Sequence, residues 1–88
     1  MIDFPNIDMQ KTGDNIARLR ADAGITVRQL QDMFGFSTPQ AIYKWQHGTA
    51  LPTVDNLVAL STILGVKIED ILAVNDSEDV FFFGKTQK

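Results

Sequence analysis

The sequence predicts an all-helical domain, a compact bundle of five short helices, and three observations carry that prediction. Apolar residues recur at spacings of three and four over most of the chain. Gly24, Gly35, Gly48 and Gly65 fall where those periodic segments stop, the place where helices commonly end on a left-handed glycine. Thr26, Ser37 and Thr53 stand at the starts of later segments, where a hydroxyl can accept a free backbone N–H of a first turn.

The first helix runs from Met9 or Thr12 to Ala23, with Ile16, Leu19 and Ala23 on its inner face. The second begins at Thr26, with Gln29 at the reciprocal position of a capping box, and buries Val27, Leu30 and Phe34. The third repeats the device with Ser37 and Gln40. Pro39 lies in its first turn, where a missing N–H is harmless, and Ile42 and Trp45 are its anchors. The fourth opens at Thr53 and buries Val54, Leu57, Leu60 and Leu64. The fifth spans about Ile68 to Leu72, with Glu69 and Asp70 in a first turn whose dipole favours acids. Asn75 to Asp79 reads as a polar linker or turn. The chain therefore divides into an N-terminal arm (1–11), a helical domain (12–74) and a C-terminal tail (75–88).

At 88 residues the chain is one domain with a modest core. The absence of cysteine excludes disulfides and thiolate metal sites. Nothing resembles a signal peptide, and no apolar run approaches the roughly 18 residues a membrane helix needs, so a soluble, cytoplasmic protein is expected. The net charge of −3 argues at first sight against nucleic acid. Its distribution matters more: residues 1–25, 26–48, 49–79 and 80–88 carry −1, +1, −5 and +2. The acidity sits in the C-terminal half.

Between the second and third helices lie only Gly35, Phe36 and the capping Ser37. Two short helices joined by so brief a turn must cross steeply, which is helix-turn-helix geometry. Gly35 supplies the unusual backbone angle, and Phe36 can plug the space between the helices. The second helix of such a unit projects side chains into a DNA major groove. With Ile42 and Trp45 inward, Gln40, Tyr43, Lys44 and His47 fall on the opposite side. Gln40 suits a bidentate pair with adenine. Lys44 suits a phosphate or guanine edge, and Tyr43 or His47 can donate to phosphate. Thr26, Arg28, Ser37 and Thr38 complete the candidate DNA-contact set. The bland alternative is an ordinary solvated helix face.

The same geometry turns Arg20 and Gln46 inward. A core-side guanidinium needs a partner, so Arg20 is expected to bond Gln46 or a nearby backbone carbonyl; otherwise it reaches out to water.

Taken together the string resembles the Cro/repressor-type helix-turn-helix family, also called xenobiotic-response-element-like, over about Thr12 to Leu72. The matching residues are Ile16-Ala17-Arg18-Leu19-Arg20, Gly24-Ile25-Thr26, Leu30, Gly35-Phe36-Ser37, Gln40 to Trp45, Gly48 and Pro52. Asp55-Asn56-Leu57, Leu60 and Leu64 to Leu72 complete the ordered set. The resemblance implies a lambda-repressor-like five-helix fold and dimeric binding to a two-fold symmetric operator. The sequence also departs from the family pattern. Val27 replaces a glutamine that touches the DNA backbone, and Gln31 an alanine. Gln46 replaces a glutamate that pairs with the first-helix arginine, and Thr49-Ala50 replace basic residues. The first and last changes remove phosphate contacts, which implies modest affinity.

The expected partners are double-stranded DNA and a second copy of the chain. No cofactor, metal, membrane or small-molecule substrate is expected. The rival reading is a protein-interaction module, an antitoxin-like partner or adaptor, favoured by the acidic C-terminal half. Catalysis is not expected, because His47 is the single histidine and no triad or paired-carboxylate spacing shares a face. Asp76, Glu78 and Asp79 lack the pattern of a calcium loop. Val80-Phe81-Phe82-Phe83 either packs back on the bundle or hooks a second copy.

Overall fold

The computed structural model describes residues 4–75. In chain order the elements are β1 (Asn6–Ile7), α1 (Met9–Asp22), α2 (Val27–Phe34), α3 (Gln40–Gln46), α4 (Val54–Leu64), α5 (Ile68–Ile71) and β2 (Val74–Asn75). No helix among the described residues is long and apolar enough to cross a membrane.

Local chemistry sets most of the boundaries. Asp8 caps α1, its carboxylate accepting the Lys11 N–H at 3.0 Å. The helix thus takes the earlier of its two expected starts, and residues 9–11, assigned above to an arm, are helical. Thr26 and Gln29 form both halves of the expected capping box on α2, at 3.0 and 2.8 Å. Thr53 caps α4 through the Asn56 N–H at 3.2 Å. The Lys67 N–H donates to Asp70 at the start of α5.

The core is one cluster of Ile16, Leu30, Ile42, Trp45, Leu57, Leu60, Leu64 and Ile71, drawn from all five helices. Leu19, Val27 and Phe34 pack against it half-buried, and two other residues expected in it are exposed. Val54 is 76% exposed, because it is the first residue of α4 and the core begins one turn further in, at Leu57. Ala23 is exposed, since it caps α1 beyond the last buried turn.

The ends of the chain segment are tied together, a feature absent from the expectation of helices alone. Asn6 and Ile7 pair antiparallel with Asn75 and Val74. Asn75, expected in a linker, is therefore in a strand. The Asp8 N–H donates to the Ala73 carbonyl at 2.8 Å, and the Ala73 N–H donates to the buried Thr12 hydroxyl at 2.9 Å. Asn15 donates to the Ile71 carbonyl at 3.0 Å. The Ile71 carbonyl and both backbone groups of Ala73, released where α5 stops, thus find partners on or beside α1. Asp76 to Asp79 and Val80 to Phe83 lie outside the described residues.

Candidate nucleic-acid interface

The unit formed by α2, its turn and α3 is built around three aromatic rings. Phe34 ends α2, Phe36 follows the turn glycine, and Trp45 lies in the last turn of α3. Phe34 and Phe36 stack with centroids 5.0 Å apart, and each meets the indole edge-on, at 5.6 and 5.9 Å. Such pairs contribute about 0.5–1.5 kcal/mol each beyond the area they bury. Gly35, at φ 72°, turns the chain sharply enough to bring these rings together. Gln31 holds the turn as well, donating to the Phe36 carbonyl at 3.2 Å.

The start of α3 differs from the expected capping box. The helix begins at Gln40, so Gln40 is its first residue and not the third, and Ser37 makes no cap bond. Pro39 is the reason. A proline disfavours helical angles at the residue before it, so Thr38 cannot serve as the first residue of a helix capped by Ser37. Thr38 instead offers its hydroxyl to the Gln40 N–H at a long 3.5 Å.

Tertiary contacts seat α3. Ile42 is fully buried and Trp45 nearly so. Arg20 bridges three segments: Nε donates to Gln46 at 2.9 Å and a terminal nitrogen donates to the Ile25 carbonyl at 2.8 Å. Gly13 lets α1 and α3 touch. A Cβ there would collide with the carbonyl oxygens of Trp45 and Gln46. A side chain on Gly48 would likewise strike the backbone of Gln10. Neither glycine was among the candidate functional residues, although a glycine inside a helix pattern is itself a sign of close backbone approach.

With Ile42 and Trp45 inward, the opposite side of α3 is open. Gln40, Tyr43, Lys44 and His47 are all exposed, and the Tyr43 and His47 rings stack 6.2 Å apart. Thr26, Arg28, Ser37 and Thr38 are exposed too. A cleft of about 370 Å³ lies between α2 and α3, lined by Val27, Arg28, Gln31, Asp32, Pro39 and Tyr43. It brings Arg28 and Tyr43 of the candidate set to one place, with Asp32 beside them. Neither Arg28 nor Lys44 has an ion-pair partner among the described residues. Asp32 is not in the candidate set, and the structure places it in the same cleft. Its carboxylate offsets part of the positive charge that Arg28 brings to the cleft.

Residues 16–71 match the Helix-turn-helix family. The chain is 35% identical over 71 residues to an uncharacterized HTH-type transcriptional regulator, y4dJ, of Sinorhizobium fredii (strain NBRC 101917 / NGR234), covering 80% of this chain and 91% of that protein. Among solved structures, the crystal structure of the DNA-binding domain of BldD superposes with a TM-score of 0.63 at 17% identity, over 74% of this chain and 93% of that one. The S. venezulae BldD DNA-binding domain does so with the same TM-score and identity, over 74% and 96%. At that identity the likeness is one of fold. The family match spans the aromatic-centred turn, α3 and the core beneath them, and by it the chain belongs to the helix-turn-helix family.

Proposed function

We propose that this chain is a sequence-specific DNA-binding transcription regulator, acting as a cytoplasmic homodimeric repressor that reads the major groove with α3. One observation carries the reading. The short α3 is clamped by its buried Ile42 and Trp45, while Gln40, Tyr43, Lys44 and His47 form an exposed polar edge on its other side. A rigidly held helix with such an edge fits a groove that admits a helix and presents base donors and acceptors. The relative described as a transcriptional regulator supports the same reading.

Within it, Gln40 pairs with a base, adenine being the geometric match. Lys44, Arg28 and the hydroxyls of Thr26, Ser37 and Thr38 position the helix on phosphates, aided by Tyr43 and His47. Arg20 and Gln46 hold α3 in register. The two cations of the candidate set, Arg28 and Lys44, correspond to a log–log salt slope of about −2 per copy, so binding is modest and best seen at low salt.

The test is selection of bound duplexes from a random pool at about 50 mM salt, followed by affinity measurement. A two-fold symmetric enriched motif is expected. Gln40→Ala then relaxes one base position by about 1–3 kcal/mol, whereas Lys44→Ala weakens all duplexes alike. No retention of any duplex at that salt would contradict the proposal and favour a protein-interaction module.

A further inference from the structure

The guanidinium that ties α1 to α3 has partners of an unusual kind. Arg20 is half-buried; its Nε donates to the Gln46 side-chain oxygen and a terminal nitrogen donates to the Ile25 carbonyl. Both acceptors are neutral. A carboxylate is the stronger partner for a guanidinium, because the bond is then charge-assisted and the charge is cancelled. Here an amide and a carbonyl orient Arg20 and leave its charge in place. The ion pair among the described residues joins Arg18 to Asp22, both exposed on α1, and Arg20 takes no part in it.

Position gives that charge a use. Gln46 is the last residue of α3, and it meets Arg20 behind the exposed edge of Gln40, Tyr43, Lys44 and His47. An α-helix with its side chains is about 10–12 Å across, so the guanidinium lies about one helix width behind that edge. This is close to the Debye length of about 10 Å at 0.1 M salt, and a half-buried charge is screened less than an exposed one. Other positive charge near the edge is scarce. Arg28 shares its cleft with Asp32, and residues 49–79 sum to −5.

We infer that Arg20 and Gln46 are an electrostatic device as well as a structural tie: the neutral Gln46 amide fixes Arg20 without neutralising it, so the guanidinium charge adds to the attraction between α3 and DNA phosphates. The inference rests on the DNA-binding reading above and deepens it, assigning attraction to a charge that need not touch DNA. Gln46 is then a positioning residue whose lack of charge matters. A carboxylate in its place would hold α3 better and bind DNA worse.

Stability and affinity should therefore move in opposite directions in Gln46→Glu. Its melting temperature should rise by about 4 °C, as expected for a charge-assisted bond in a domain of this size. Its Kd for selected and unrelated duplexes alike should rise about threefold at about 50 mM salt, and the difference should fade by about 300 mM as screening shortens. A purely structural role predicts binding at least as tight as wild type. Two more variants lose the bond geometry and differ in charge. At a temperature where both are folded, Arg20→Lys should bind about threefold tighter than Arg20→Gln. If neither folds, Gln46→Glu decides alone. Equal binding by the two Arg20 variants overturns the inference. So does a Gln46→Glu loss of affinity that persists unchanged at high salt, or one that accompanies a loss of stability. If wild type and Gln46→Glu bind equally well, this inference alone fails. If wild type retains no duplex, it falls together with the DNA reading.

Discussion

The two helices of the central unit are started in opposite ways. Both end at a left-handed glycine, Gly35 after α2 and Gly48 after α3. α2 is also started by its own sequence, through the reciprocal Thr26–Gln29 box. α3 has no such device and starts on Pro39 without a side-chain cap. Seven residues with no side-chain cap at their start make a poor isolated helix, since nucleation is costly and short helices are marginal in water. What holds α3 is its surroundings: the Phe34–Phe36–Trp45 cluster, the Arg20 bridge, and the close passage of α1 at Gly13. The helix proposed to read DNA is therefore the one whose position the whole bundle determines. That gives a reading surface fixed relative to the rest of the protein.

This contrast can be broken at several points, and the largest effect belongs to the tertiary clamp. Trp45→Ala removes the ring that joins α2, the turn and α3. It should destabilise the fold by about 3–5 kcal/mol in denaturant titration, enough to unfold much of a domain this small. Gly13→Ala should come next, at about 1–3 kcal/mol, since its Cβ would meet two backbone carbonyls that cannot swing aside as a side chain can. A Gly13→Ala protein as stable as wild type would mean that α1 and α3 do not pass so closely. Thr26→Ala removes a cap that is made and should cost about 1 kcal/mol. Ser37→Ala, the superficially equivalent change before α3, removes no cap bond and should stay within about 0.5 kcal/mol. Equal losses at Thr26 and Ser37 would erase the distinction between the two helices.

The same contrast explains what could be read from the sequence. Features made by neighbouring residues were legible: the α2 box, the Thr53 cap, the glycine stops, the inward pair of Ile42 and Trp45. The Ser37–Gln40 box was misread because two local rules compete there. The Ser-x-x-Gln spacing favours a cap, but Pro39 removes Thr38 from the helix, and the proline prevails. Features joining distant residues left weaker traces. Nothing near Asn6 announces a pairing with Asn75, and nothing near Thr12 announces a bond to Ala73. Gly13 alone carried a usable sign, a costly glycine inside a helix. The place of Asp32 beside Arg28 and Tyr43 depends on how α2 and α3 pack, which no local pattern announces.

The most direct test of the central claim is to map backbone amide shifts by NMR while a short duplex is titrated at low salt. Perturbations should concentrate on Gln40, Tyr43, Lys44 and His47, extend to Thr26 and Arg28, and leave Glu69 and Asp70 of α5 unmoved. Shifts confined to α4 and α5, with the exposed edge of α3 silent, would contradict the account.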